Sequence, residues 1–218
     1  SKPSDGCDSF IPNGGSDSRT SLALHASIRT TVSHRANLRK ERIPRCERLL
    51  NMSQITQLLK QHRRNLHTYP ETAWTEFQTT WYIYQQLMTL PFKLRLGKEI
   101  LNEAFVLNRD EEEVKSSTKR ALNNGVPKEF IHILDEFTGV MATFETHKSG
   151  PTFVLRFDID ALPIQETEDA QHLPNLLGFR SRHDNCMHAC GHDFHTAIGL
   201  VLARWISEQR AKLRGKII

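Results

Sequence analysis

The spacing of apolar residues predicts helices in the first half of the chain. In residues 53–69 and 72–90 apolar side chains recur every three or four positions, and a proline follows each stretch. We therefore predict two helices, the first capped by Ser53. The aromatic residues of the second stretch share one face, which favours core packing over ligand stacking. They are Trp74, Phe77, Trp81 and Tyr84.

Strands are predicted mainly in the second half. Residues 92–97 suggest a strand, and residues 110–124 a charged helix whose first turn carries three glutamates. Residues 138–146 and 152–157 are apolar and joined by a short glycine-containing turn, which predicts a β-hairpin. The last predicted helix covers residues 195–213. The side chains of this helix that we expect to face a sheet are Ala197, Leu200, Val201, Ala203 and Ile206.

Residues 188–195 hold the densest cluster of reactive side chains. They contain three imidazoles, a thiol and a carboxylate, just ahead of the last predicted helix. Cys190 and His192 are two positions apart, so in an extended loop their side chains leave the backbone on the same side. Thiolate and imidazole suit Zn²⁺ or a similar borderline cation. We predict Cys190 and His192 as metal ligands.

The other polar residues of this cluster have more than one interpretation. Asp193 stands where the helix is expected to begin, so it can be the helix cap, a part of the site, or both. His188 and His192 have the spacing of a helical zinc pair, but Gly191 between them argues against a helix here. We therefore expect His188, Asp193 and His195 to support the ligands rather than to bind metal.

Two acids follow the predicted strand of residues 152–157. Asp158 and Asp160 project to one side by the two-residue period of a strand. In open α/β sheets ligands bind outside the carboxyl ends of the strands. A turn alone would also explain these acids. A Cys/His cluster nearby favours a role in the site for Asp158 and Asp160, because a metal-bound imidazole usually donates its other N–H to a carboxylate.

These segments resemble a known family. Residues 155–166, followed by residues 187–197, are similar to the paired signature of the di-metal amidohydrolases, a family that includes hippurate hydrolase, N-acyl-amino-acid hydrolases and auxin-conjugate hydrolases. Residues 63–71 resemble the amino-terminal helical motif of the same family. The long charged insert before residue 138 is similar to that of the family's p-aminobenzoyl-glutamate hydrolases.

The resemblance implies a fold and a chemistry. The fold is α/β, a partial zinc-peptidase-like catalytic domain with a mixed sheet flanked by helices and without the lid or dimerisation domain. Cys190 and His192 would bind metal, and Asp160 would support the site. The complete enzyme would use two divalent ions, Zn or Mn, to hydrolyse the amide bond of N-acyl amino acids, with p-aminobenzoyl-glutamate as the favoured substrate.

The family's catalytic glutamate pair is absent from this sequence, so we expect the chain alone to be inactive. A non-catalytic truncated product or a partner subunit stays open as an alternative. A homo- or hetero-oligomer stays open for the complete enzyme. A structural zinc module would need four protein ligands and no open coordination position, and no second Cys/His pair has a matching spacing.

Composition divides the chain and limits its partners. Residues 1–51 lack sustained apolar periodicity, so we expect them to be a disordered leader or an upstream extension. We expect residues 52–218 to be the amino-terminal part of the catalytic domain. The net charge is only +4 and no apolar run could span a bilayer, so neither nucleic acid nor membrane is expected as a partner. Four cysteines form no disulfide framework, which favours a reducing, cytoplasmic location.

Overall fold

The computed structural model describes residues 50–218, so the expected leader lies outside the described residues except for its last two positions. The helices of this part are α1 (Met52–Thr68), α2 (Phe77–Leu87), α3 (Glu111–Asn123), α4 (Lys128–Leu134), α5 (Leu173–Leu176) and α6 (His192–Gln209). The strands are β1 (Lys93–Leu96), β2 (Val140–Glu145), β3 (Thr152–Phe153) and β4 (Lys216–Ile217). Two short 3₁₀ turns, Gly97–Ile100 and Glu103–Phe105, follow β1. None of the helices in residues 50–218 combines the length and apolarity needed to cross a bilayer.

The four strands form one mixed sheet in the order β1-β2-β4-β3. β1 runs antiparallel to β2, β2 runs antiparallel to β4, and β3 runs parallel to β4. The predicted hairpin is therefore wrong, because β4 lies between its two strands and Ile217 is opposite both Phe144 and Phe153. The predicted mixed sheet flanked by helices is confirmed. The ladder continues beyond β3 with a hydrogen bond of 2.8 Å from the Leu155 N–H to the Ile218 carbonyl.

The first two helices begin at other residues than predicted. Asn51, not Ser53, caps α1, because its side chain accepts the Gln54 N–H at 2.9 Å while the Gln54 side chain accepts the Asn51 N–H at 3.0 Å. α2 begins at Phe77, so Trp74 precedes the helix and has a positive φ of 69°. Its indole N–H donates to the Leu107 carbonyl at 2.9 Å, which places this ring outside the core.

The remaining aromatic residues of that stretch do form a core, as predicted. Phe77 and Tyr84 are buried, and the partly buried Trp81 packs against them. Phe130 of α4 completes the cluster with ring centroids 4.6 Å from Trp81 and 5.1 Å from Tyr84. The charged helix α3 covers this cluster with Val114 and Ala121. Its glutamates and lysines are exposed, which explains why a helix so rich in charge is stable there.

α6 packs against α1 and the sheet and positions the candidate site at its first turn. All five side chains predicted to face inward are buried. Leu200 and Ala203 join Ile83 and Leu87 of α2 in a second core cluster. Gly199 lets α6 approach the segment that holds Phe157 closely, because a Cβ at Gly199 would lie 2.9 Å from the Phe157 ring. The amino-terminal end of α6 is thereby fixed beside the residues that follow β3.

Candidate active site

The loop before α6 is held to the rest of the fold by backbone contacts. The Ala161 N–H donates to the Glu71 carbonyl at 2.7 Å, and Leu162 forms an antiparallel bridge with Met187. The loop then turns into α6 at Gly191, whose φ of 88° is in the left-handed region. Cys190 is therefore the residue before the turn and His192 is the first residue of the helix.

Asp193 is not the cap of α6. The cap residue is Gly191, which has no side chain to accept a hydrogen bond, and α6 starts three residues earlier than predicted. Of the interpretations of Asp193 left open above, the helix cap is therefore wrong, because the chain enters α6 through the left-handed turn at Gly191. The Asp193 carboxylate is instead buried in contact with α1.

Asp160 and His192 make direct contact. The Nδ1 atom of His192 lies 2.9 Å from Oδ1 of Asp160 and 3.1 Å from the Asp160 carbonyl oxygen. With both acceptors on that side, Nδ1 donates and Nε2 keeps a free lone pair. Nε2 lies 3.9 Å from Oδ2 of Asp158. This is the pattern in which a carboxylate orients an imidazole for metal binding.

Asp158 meets His195 on the same side. The Asp158 N–H donates to Nδ1 of His195 at 3.1 Å, and the Asp158 carbonyl accepts the Thr196 hydroxyl at 3.0 Å. The carboxylate of Asp158 also contacts Arg156. The structure thus brings four of the predicted residues together, two acids from the segment that follows β3 and two histidines from the first turn of α6.

His188 is buried and unusual. Neither ring nitrogen has a hydrogen-bond partner, and burial lowers its pKa to about 4, so the ring is neutral at physiological pH. Leaving such a group unpaired is costly, which marks the ring as available to a further partner. The ring of His67 lies beside it, with centroids 6.4 Å apart.

Cys190 and Cys186 differ in environment. The Cys190 side chain is exposed, whereas Cys186 is buried, and burial raises the pKa of the Cys186 thiol to about 11. Cys186 is therefore held as a thiol and is a poor ligand, as expected for a residue outside the site. Both are free of disulfides.

The donors in residues 50–218 fit a metal ion only in part. Soft and borderline donors are present, an oriented imidazole is among them, and His188 adds two unpartnered nitrogens. In this part of the chain, however, no three His, Cys, Asp or Glu side chains lie close enough together to hold an ion by themselves. A catalytic zinc typically has three protein ligands.

A buried network, missed from the sequence, lies behind the site. Nδ1 of His67 is 2.9 Å from Oδ2 of Asp193, and Nε2 is 2.9 Å from Oε1 of Glu166. Glu166 also contacts Nε2 of His172 at 2.8 Å and accepts the Ser181 N–H at 2.6 Å. The only available signals were that His67 and Glu166 fall within the family-like motifs.

Electrostatics in this network favour a charged histidine. Burial disfavours the charged form of His67, but the hydrogen bonds and charges of Asp193 and Glu166 outweigh it and raise the pKa of His67. Burial likewise opposes ionisation of both acids, yet their contacts with His67 lower the pKa of Glu166 and of Asp193. The two carboxylates therefore favour the charged form of the His67 ring between them.

Two further buried acids lie at the start of α2. Glu71 accepts the Thr79 N–H at 2.8 Å, and burial raises its pKa to about 7. Glu76 accepts the Thr138 hydroxyl at 2.5 Å, and burial, with a smaller effect of the Asp160 charge, raises its pKa to about 7. Glu76, Asp158 and Asp160 lie on the wall of a mostly apolar cavity of about 670 Å³.

A mixed sheet flanked by helices, with two acids from the segment after β3 facing a histidine-rich helix start, is the arrangement of a metallopeptidase-like α/β domain. Residues 154–218 match the model of peptidase family M20/M25/M40. The predicted resemblance is thereby confirmed. The structural assignment agrees, because the sheet and helices superpose on solved members of this class.

Three curated proteins are similar in sequence to this chain. A homolog of a p-aminobenzoyl-glutamate hydrolase subunit, from Haemophilus influenzae, is 42% identical over 164 residues, which are 75% of this chain and 38% of that protein. The corresponding p-aminobenzoyl-glutamate hydrolase subunit from Escherichia coli is 38% identical, over 73% of this chain and 37% of that protein. An indole-3-acetyl-aspartic acid hydrolase of Enterobacter agglomerans is 38% identical, over 78% of this chain and 40% of that protein. The chain thus spans 40% or less of each relative.

Two solved structures share the fold. An aminobenzoyl-glutamate utilization protein from Klebsiella pneumoniae matches with a TM-score of 0.57 and 30% identity, covering 76% of this chain and 35% of that chain. A dinuclear metal-binding peptidase of the M20 family from Bacillus subtilis matches with a TM-score of 0.51 and 31% identity, covering 77% and 34%. The chain thus spans about a third of the length of each of these structures.

Proposed function

We propose that this chain forms the amino-terminal part of a metal-dependent amidohydrolase that cleaves the amide bond of N-acyl amino acids. The observation that carries the proposal is the contact of 2.9 Å between Asp160 and Nδ1 of His192, which leaves Nε2 free at the start of α6. An imidazole oriented by a carboxylate is typical of metal sites, and the relatives named above supply the reaction class.

The substrate class follows from the names of the relatives. One relative is named for p-aminobenzoyl-glutamate and another for indole-3-acetyl-aspartate. Both compounds join an aromatic acyl group to an acidic amino acid through an amide bond. We therefore propose aromatic acyl derivatives of glutamate or aspartate as substrates, with p-aminobenzoyl-glutamate first.

The residues of this chain would bind the metal and orient its ligands. Cys190 and His192 would hold the metal, and Asp160 would keep the Nδ1 proton of His192 in place. The chemistry that two divalent ions, Zn or Mn, supply in such a site is polarisation of the carbonyl and a lowered pKa of water. Asp158 and His195 would keep the strand end and the helix start in register. The general base is proposed to be a glutamate outside residues 1–218.

Metal binding by the chain tests this assignment directly. Zn²⁺ and Mn²⁺ affinity would be measured by equilibrium dialysis for the chain and for Cys190→Ser and His192→Ala. Each substitution should weaken binding, because each removes one of two proposed ligands. Cys186→Ser is the matched control, since it alters a cysteine four positions away that is held as a thiol. Unchanged affinity in Cys190→Ser and His192→Ala would remove the assignment.

Hydrolysis tests the reaction class. In a longer version of the protein that supplies further donors, Cys190→Ser should abolish the release of p-aminobenzoate from p-aminobenzoyl-glutamate, while Cys186→Ser should retain it. The 218-residue chain by itself should release little, because no three donors converge in its described part. Rapid hydrolysis by the chain alone would contradict that expectation.

A non-catalytic partner subunit is the second candidate. Phe153, Val154 and Leu155 are exposed by 57%, 70% and 42%, so the outer edge of the sheet presents apolar side chains. Such an edge favours pairing with another chain. Analytical ultracentrifugation tests this pairing, because a chain that pairs through this edge should associate, whereas a chain that does not should sediment as a monomer.

A further inference from the structure

We propose that His67 is a positioning residue that fixes the first turn of α6, and with it His192, through its contact with Asp193. The inference rests on the proposed function, because it takes Cys190 and His192 as the metal ligands. His67 touches neither of them. Its effect passes through the backbone of α6.

The His67 ring is clamped on both sides. It lies at the end of α1 and is 4% exposed. Nδ1 is 2.9 Å from the Asp193 carboxylate and Nε2 is 2.9 Å from the Glu166 carboxylate. Both carboxylates are buried, with side chains 1% exposed. A planar ring with an acceptor at each nitrogen has one orientation that satisfies both, so it links the two acids rigidly.

The contact with Asp193 replaces the missing cap of α6. No side chain caps this helix at Gly191, so its first turn lacks the usual anchor. Asp193 and His192 are consecutive residues of that turn and point in different directions. His192 is held by Asp160 and Asp193 by His67. Two anchors on neighbouring residues fix both the position and the rotation of the turn.

The contact with Glu166 extends the same control to the loop. Glu166 accepts the Ser181 N–H at 2.6 Å and contacts His172 at 2.8 Å, so it gathers the middle of the segment between Asp160 and His188. The loop enters and leaves through the bridge between Leu162 and Met187. His67 therefore ties α1 to both sides of the candidate site.

His62 provides a matched control on the same helix. It is also buried, with 8% exposure, but its ring contacts only the Tyr82 hydroxyl, at 2.8 Å, among the hydrogen bonds of the described residues. The substitutions His67→Gln and His62→Gln remove the same ring from α1 at similar burial. Glutamine donates only from its single amide nitrogen, so it cannot reach one carboxylate from each end of the side chain as the two ring nitrogens of His67 do.

Two measurements on the whole chain separate positioning from general stability. The first is Zn²⁺ affinity by competition with a chromophoric chelator, where His67→Gln should weaken binding about 10–100-fold and His62→Gln should not. The second is the ¹⁵N chemical shifts of the His192 ring without metal. The chain and His62→Gln should show one tautomer protonated at Nδ1, and His67→Gln a mixture. Both variants should lower the melting temperature.

Each outcome decides the inference. Wild-type affinity and a single His192 tautomer in His67→Gln would overturn it, as would an equal loss in His62→Gln. If the chain binds Zn²⁺ no more tightly than Cys190→Ser, the proposed ligands fail and the tautomer measurement alone decides. If His67→Gln does not fold, Arg63→Gln takes its place, because Arg63 contacts the same Asp193 oxygen at 3.2 Å from a half-exposed position. A partial loss of Zn²⁺ affinity in Arg63→Gln supports the inference, and an unchanged affinity overturns it.

Discussion

Replacing Glu76 by Gln should remove a pH-dependent loss of stability. Glu76 is 6% exposed, and burial raises its pKa from 4.5 to about 7. Between these values the folded chain keeps the proton and the unfolded chain releases it. The unfolded state therefore binds fewer protons, and the free energy of unfolding falls as the pH rises through this window. Glutamine has no such proton and can still accept the Thr138 hydroxyl.

The size of the effect follows from the shift in pKa. One pKa unit corresponds to about 1.4 kcal/mol, so the whole shift amounts to about 3 kcal/mol. Part of it is already lost at about pH 5, which leaves about 2–3 kcal/mol for the interval from pH 5 to 8. Glu71 contributes a similar slope, because burial raises its pKa to about 7 as well. That slope is common to the wild type and the Glu76→Gln variant and cancels in their difference.

Urea denaturation at four pH values between 5 and 8 measures this difference. The unfolding free energy of wild type should fall by about 2–3 kcal/mol more than that of Glu76→Gln. The control is Glu99→Gln, which changes an exposed glutamate and should leave the pH dependence of wild type intact. Parallel pH profiles for wild type and Glu76→Gln would refute the view that Glu76 is protonated in the folded chain.

Two further pairs of substitutions test the packing. Phe130→Ala should lower the unfolding free energy by about 3–5 kcal/mol, because Phe130 is fully buried; Ile133→Ala on the exposed side of α4 should cost far less, and equal losses in urea would contradict this. Gly125→Ala should cost about 1–2 kcal/mol for its positive φ alone. Gly97→Ala should cost more, since a Cβ there would lie 2.2 Å from the Leu134 carbonyl oxygen, and matching melting temperatures would disprove the clash.

The helices α3 and α6 could be predicted well from the sequence. For α3 the predicted bounds differ from the observed ones by one residue at each end, and Asp110 caps it by accepting the Glu112 and Glu113 N–H groups. The inward face of α6 was also identified. In α6 the apolar spacing decides which side is buried, whereas α3 could be predicted from its acidic first turn and from the Gly125 and Pro127 that follow it. The starts of α1 and α2 depend on single side chains and were placed less well.

The sheet shows where local reasoning fails. The turn between β2 and β3 predicted that these strands pair, and the alternation of side chains is the same whichever strand lies beside them. The actual neighbour of both is β4, whose Ile217 is 73 residues from Phe144 along the chain. Pairing at such a distance leaves no short-range mark in the sequence. Only the three-dimensional arrangement identifies β4 as the central partner.

The site divides in the same way. Asp160 and His192 could be proposed as a pair because the strand end and the Cys/His cluster each form a compact motif. His67 and Glu166 could not, since they lie 126 and 27 residues from Asp193 and each is a single polar residue in an ordinary setting. An isolated histidine in a helix has no spacing that would distinguish it from a surface residue. Its importance comes from the two carboxylates that the fold brings to it.

The buried network is better explained by geometry than by stability. Removing charges from water costs several kcal/mol for each ion, and this cost offsets most of the attraction between His67 and its two acids. Apolar residues of similar volume at the three positions would therefore fold about as well. They would not fix the rotation of α6, because apolar contacts have no directional requirement, whereas each hydrogen bond of the ring does. A direction-dependent link is what a site needs if His192 is to present one nitrogen to a metal ion.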